Sequence, residues 1–173
     1  MEYGKPIKLQ DGRYFVKISN SDKSRVLKQL NNVEVQEQNC FKVSADLREF
    51  DDQIISQAEV CSEEWFGKKI DLDSLKKVFD SSVSANILEA PPVPKKTKVF
   101  DSNRNEVSLE VFVPGSRCDI IVELSGIWFL KKSFGPVWRL VQARLKKEST
   151  FPQKYIFADD DDAAASDDDE YYN

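Results

Sequence analysis

There is no histidine in this chain of 173 residues. That removes the commonest general base and the commonest zinc ligand together. The three cysteines, Cys40, Cys61 and Cys118, are far apart and odd in number. With no C-x-x-C pair, neither a zinc ribbon nor a disulfide framework is supported, and buried reduced thiols are the expectation. Nor is there a Gly-rich phosphate loop, a G-x-S-x-G elbow or a paired-carboxylate motif in context. No catalytic residue, cofactor or metal is therefore assigned, and the expectation is a protein that is not an enzyme. The N-terminus MEYGKPIKLQDG lacks the apolar stretch of a signal peptide. The most apolar run, Ile120 to Leu130, is broken by Glu123 and too short to cross a bilayer. A soluble intracellular protein without membrane partners is expected.

Charge is unevenly distributed. From Ala158 onward the chain reads ADDDDAAASDDDEYYN, with eight acids and no base. Residues 1–157 carry 25 bases against 22 acids, so the overall charge of −5 hides a mildly basic body. Residues 91–157 alone hold 12 bases and 6 acids. The acidic stretch has almost no apolar residue besides alanine, which predicts a disordered tail. Its Asp cluster lacks the glycine and spacing of an EF-hand loop.

The body reads mostly as strands. KPIKLQDGRYFVKI gives strand, tight Asp11-Gly12 turn and strand, with Tyr14, Val16 and Ile18 on one side. Residues 19–31 are ambiguous, with a short helix over SDKSRVLKQL as one option. NVEVQEQNCFKV alternates again, placing Val33, Val35, Phe41 and Val43 inward. The period then changes: Leu47, Phe50, Ile54, Ala58, Cys61 and Trp65 recur at three and four, predicting one main helix. Asp46 and Glu49 resemble its capping box, and Gly67 its stop. A shorter helix, Leu72 to Phe79, is expected behind Asp71. Beyond it come a short strand at Ala85–Leu88, a PPVPKK linker, and strands at Lys98–Phe100 and Val107–Val113. Pro114-Gly115 breaks the chain before a long hairpin over residues 119–147. This order predicts an α+β domain, residues 1–157, built as an OB-like small β-barrel with one main inserted helix, followed by a tail at 158–173. A mixed sheet with a packed helix is the alternative.

The hairpin, DIIVELSGIWFLKKSFGPVWRLVQARLKK, carries the functional signal. Single-stranded nucleic acid requires flat apolar faces for its bases and cations for its phosphates. Trp128, Phe134 and Trp138 are the stacking candidates, with Phe134 projecting from the tip and the two tryptophans as cross-strand neighbours. Lys131, Lys132, Arg139, Arg144, Lys146 and Lys147 are the phosphate candidates. Gly126 is expected to mark a bulge. Core packing competes for both tryptophans and is the preferred reading of Trp65. The acidic tail is either a solubility device or a polyanion lying in the cationic groove, with Tyr171 and Tyr172 as an apolar anchor for a partner protein.

SEEWFGKKI, followed some 55 residues later by ELSGIWFLKKSFGPVWRLVQARL, resembles a small uncharacterised family of the nucleocytoplasmic large DNA viruses, notably algal viruses. The hairpin with Val141-Gln142 is also similar to the last strands of phage-type single-stranded-DNA-binding OB-folds. The resemblance implies largely sequence-independent binding of single-stranded DNA, with RNA as the variant. Its setting would be viral replication, recombination or transcription, with replication or transcription proteins docking on the tail. It further implies a location in the host cytoplasm or nucleus, in a viral factory or in the virion. The rival class is a non-enzymatic protein-binding or virion structural protein, which the small net charge of the body keeps open.

Overall fold

The computed structural model describes residues 1–147. Ten strands and three short helices follow one another as β1 Glu2–Tyr3, β2 Ile7–Lys8, β3 Tyr14–Ser19, β4 Val26–Glu37, β5 Lys42–Ser44, α1 Arg48–Val60, α2 Ser62–Phe66, α3 Leu72–Val78, β6 Val83–Ser84, β7 Ile87–Glu89, β8 Lys98–Phe100, β9 Arg117–Leu130 and β10 Ser133–Leu145. The fold is thus mostly β rather than evenly α+β.

The predicted long hairpin is the spine. β9 and β10 pair from Ser133 opposite Leu130 down to Leu145 opposite Cys118. The other edge of β9 is shared end to end by two strands. β3 takes its last third, Tyr14 opposite Phe129 to Lys17 opposite Gly126. β4 takes the rest, Val26 opposite Leu124 to Glu34 opposite Arg117. The sheet continues through β5 and β7 to β6, while β8 runs parallel to the end of β10. Among the described residues this ladder is open: the expected barrel is not closed by strand pairing.

Alternation along β9 settles which face is inside. Cys118, Ile120, Val122, Leu124, Ile127 and Phe129 are buried with Val16 and Ile18 of β3. Two irregularities shift the count. Ser125 is the extra residue where Val137 pairs with Gly126 and Trp138 with Leu124, one position from the expected bulge. Its hydroxyl donates to the carbonyl of Val137 at 3.1 Å. Val141 is extra on β10, so Ala143, not Gln142, follows Leu140 into the core. A third irregularity, at Asn31 and Asn32 of β4, is held by Asp119, whose carboxylate accepts the Asn32 N–H at 2.9 Å.

The helices cover this inner face. The main helix ends at Val60, and α2 brings Trp65 and Phe66 over the hairpin tip. Phe66 meets Phe129 and Phe134 edge-on at 5.3 and 5.4 Å. Gly67 stops α2 in the left-handed region, and Asp71 caps α3 by accepting the Ser74 N–H at 3.0 Å. The expected capping box on α1 does not form, because the N-cap residue is Leu47 and Asp46, one residue earlier, accepts from Arg48 instead.

Two further segments differ from the sequence reading. SDKSRVLKQL is turn and strand, because the free edge of β9 offers Val26 to Leu30 a ladder that outweighs local helix preference. Residues 107–113 contain a 3-10 turn, Leu109–Val111, rather than a strand. Of the cysteines, Cys118 is buried, and Cys40 and Cys61 are half-buried. Burial, with the Asp119 charge beside it, pushes the Cys118 thiol up to about 12, so it stays protonated and unreactive at neutral pH.

Candidate nucleic-acid interface

The outer face of the β3–β9–β10 sheet is assembled by the same alternation. Phe15 pairs with Trp128, and both are half-buried on the side opposite the core. Each aromatic lies against a glycine. A Cβ on Gly126 would meet the Phe15 ring at 2.3 Å, so the ring occupies the space a side chain would take. On Gly135 a Cβ would come within 3.3 Å of the Trp128 indole nitrogen and 2.2 Å of the Asp80 carbonyl oxygen. Two aromatic side chains therefore lie on a glycine-cleared patch of sheet, each with part of its surface open. Trp128 also lines an open groove of about 760 Å³ that extends over Pro136 and Val137 to Ser81, Ser82 and Pro91.

Next along the strands is a cluster of cations. Lys17, Arg25, Lys96 and Arg139 line a second groove of about 380 Å³, with Glu123 the only acid in its wall. Each comes from a different element. Lys17 alternates with the core residues Val16 and Ile18, Arg25 lies just before β4, and Arg139 stands between buried Trp138 and Leu140. Lys96 is carried by the 91–97 segment, which Pro91 and Thr97 pin to Leu140: the Leu140 N–H donates to the Pro91 carbonyl at 3.1 Å, and the Thr97 hydroxyl donates to the Leu140 carbonyl at 2.6 Å. Arg25 is bonded to Glu123. That bond, opposed by burial and reinforced by the charges of Arg25, Arg139 and Lys17, holds the Glu123 carboxyl below its ordinary range. Lys17, Lys96 and Arg139 have no ion pair among the described residues. Stacking surface at one end and unpaired cations beside it are what a chain of bases and phosphates requires.

The residues expected from the sequence divide accordingly. Trp128 and Arg139 lie on this face. Lys131 and Lys132 are exposed in the hairpin turn, away from the groove lining. Arg144 and Lys146 converge on Asp119 at 2.8 and 3.3 Å, at the opposite end of the hairpin from the tip, and Lys147 is exposed beyond them. Phe134 does not project. It is wholly buried, edge-on to Phe79 at 5.1 Å and stacked on Phe129 at 6.0 Å, because α2 and the residues after α3 cover the tip. Trp138 is 2% exposed and meets Phe50 edge-on at 5.2 Å. It pairs with Leu124 while Trp128 pairs with Gly135, so the tryptophans are not cross-strand neighbours. Neither Phe134 nor Trp138 offers a face for a base in this structure. Tyr171, Tyr172 and the acidic tail lie outside the described residues.

Sequence reading missed Phe15, Lys17, Arg25 and Lys96. The first two were legible: they alternate with Val16 and Ile18, so an inward assignment of those two puts Phe15 and Lys17 outside. Among the described residues no group of three or more acids or cysteines could hold a metal ion, and no helix is long and apolar enough to cross a membrane.

Comparison with known proteins places the chain. A family model of unknown function, DUF5871, matches residues 16–159, which spans β3 to beyond β10. The chain belongs to the DUF5871 family. No curated protein matches the DUF5871 chain. Among solved structures it is similar to the single-stranded DNA-binding protein of bacteriophage Enc34 in its C-terminally truncated form, with a TM-score of 0.47 and 10% identity over 86% of this chain and 94% of that one. The same phage protein in complex with single-stranded DNA gives a TM-score of 0.45 and 10% identity over 88% and 96% of the two chains. A further structure of the phage protein gives 0.44 and 11% over 95% and 99%.

Proposed function

We propose that this DUF5871 protein binds single-stranded DNA, largely independently of sequence, through the outer face of the β3–β9–β10 sheet on an OB-like scaffold. One observation carries the reading: two part-open aromatic side chains lie on glycines beside a groove with four cations and a single carboxylate. Bases stack on Phe15 and Trp128, and phosphates contact Lys17, Lys96 and Arg139. Stacking accepts any base, because every base has a π-face. No chemistry on the strand is needed, and the role fits replication, recombination or transcription of a viral genome.

The acidic tail belongs to the same proposal. Ten residues lie between Lys147 and Ala158, a reach of up to about 36 Å when extended. That allows the eight acids to lie along the cationic groove and compete with DNA, while Tyr171 and Tyr172 present an anchor for a replication or transcription partner.

The test is fluorescence anisotropy of a labelled oligo-dT with the full chain and a 1–157 truncation at two salt concentrations. Salt-sensitive binding that tightens when the tail is removed is the expected result. No binding by the truncation at low salt overturns the proposal and turns attention to protein partners. Tighter binding of the matching RNA would reassign the ligand.

A further inference from the structure

Beyond the cation cluster, the same sheet face ends in a third cavity that the interface described above does not use. It has a volume of about 290 Å³ and lies among β4, β8, β9 and β10. Its apolar floor is Ile121, its wall is the half-buried Phe100, and Gln29, Gln142, Arg104 and the Asp119–Arg144 pair stand around it. Gln29 and Gln142 flank Ile121 on the two neighbouring strands. The row is one step along the strands from the row in which Leu27 and Arg139 flank Glu123. From Trp128 to Ile121 is seven residues of β9, about 23 Å at the usual rise. The cavity therefore continues the track rather than opening elsewhere.

We infer that this cavity is a second nucleobase subsite, at which a base stacks on Phe100 and meets the side-chain amides with its edge; the inference rests on the single-strand-binding reading of the sheet face. The chemistry of the lining selects that occupant. A planar ring with polar edges fits an apolar floor and aromatic wall rimmed by amides. The Gln29 amide nitrogen already donates to Asn31 at 2.8 Å, which leaves its carbonyl oxygen as an acceptor. The Gln142 side chain makes no hydrogen bond within the described residues and presents both kinds of group. Arg104 comes from a turn fixed by Asp101, whose carboxylate accepts the N–H groups of Asn103 at 2.8 Å and Asn105 at 3.0 Å. Arg104 has no ion pair among the described residues, and its guanidinium is free for the phosphate next to the inserted base. Arg144 is occupied by Asp119 and serves as a wall. Amides read base edges and aromatics do not, so this end of the track is where a base preference would arise, and the Phe15–Trp128 end is indifferent.

The test compares Phe100→Ala, Gln142→Glu and Trp128→Ala with the wild-type full chain, by anisotropy on a labelled oligonucleotide of about 16 nucleotides, the upper end of what one such site covers. Phe100→Ala is expected to weaken binding about tenfold with an unchanged salt slope, since a stack releases no counterion. Gln142→Glu, at an exposed position that leaves the core untouched, is expected to weaken it through charge placed at the cavity rim. If Phe100→Ala and Gln142→Glu both bind like wild type while Trp128→Ala is impaired, the second subsite is wrong and the sheet-face reading survives. If the wild type does not bind, or Trp128→Ala is also without effect, both fall together.

Discussion

Replacing Trp128 by alanine separates binding from folding more cleanly than any other change in this molecule. The indole is half-buried on the outer face, against Gly135, and contributes nothing to the core that Trp138 and Phe134 occupy. One base–aromatic stack is worth about 1–3 kcal/mol. At 1.4 kcal/mol per factor of ten, losing it weakens binding by about 5- to 150-fold. The salt slope should stay where it was, because no phosphate contact is removed. Trp138→Ala is the matched control. That ring is 2% exposed and edge-on to Phe50, and truncating a buried Trp costs about 3–5 kcal/mol. For a domain of this size each kcal/mol lowers Tm by about 2–4 °C, so Trp138→Ala should melt about 6–20 °C early. Anisotropy on oligo-dT at low salt and a circular-dichroism melt of both variants measure the two effects. The reasoning is refuted if Trp128→Ala binds like wild type, or if Trp138→Ala loses binding while melting at the wild-type temperature.

Glu123→Gln should tighten DNA binding severalfold at pH 7 and steepen its salt dependence, measured by salt titration of anisotropy. The carboxyl is held below its ordinary range, so it is charged at neutral pH and occupies Arg25. Freeing that guanidinium adds one phosphate contact, or about 0.7 in the slope of log K against log salt. In wild type the same release comes from acid, so binding should tighten as pH falls through the depressed value. Asp119 predicts an acid limb in stability. Burial alone would raise its carboxyl, but bonds from Arg144, the Asn32 N–H and Lys146 outweigh burial and hold it below its ordinary value. A depressed carboxyl contributes stability that is complete above the unfolded value near 3.8 and is lost as pH falls through the folded one. Asp119→Ala should cost about 1–3 kcal/mol at pH 7, by leaving the Asn32 N–H unpaired. Denaturant melts across pH should find that gap closing in acid.

The long hairpin was legible because alternation over β9 and β10 is local information, and so were the Asp11-Gly12 turn, the Asp71 cap and the Gly67 stop. What the local pattern could not say was which face is inside, since both faces of β10 carry apolar residues and two irregularities, at Ser125 and Val141, exchange them. A hairpin tip is ordinarily solvated, which made Phe134 look exposed. The residues that bury it, Phe66 and Phe79, lie more than fifty positions earlier, and nothing in the tip announces them. The strand at residues 26–31 was missed for the same reason: its partner is some ninety residues away. Of the three aromatics singled out in the hairpin, Trp128 is part-open on the outer face beside Phe15, whose outward position alternation implied, while Phe134 and Trp138 are buried.

The sharing of one β9 edge between β3 and β4 also says how the chain must fold. β9 and β10 are joined by Lys131-Lys132 and can zip on their own, a local event on the microsecond scale. Neither β3 nor β4 has that advantage. Tyr14 must find Phe129, and Val26 must find Leu124, across most of the described chain. Because they line up on one edge, a slip of either strand encroaches on the place of the other. The hairpin therefore waits as a long, apolar, half-paired edge until both arrive, and the rate is set by that search, placing the protein with slow, non-local β folders. In that interval its exposed edge is open to a second copy of itself. Crowded refolding should lose material to aggregation before the folded state, once formed, shows any tendency to associate.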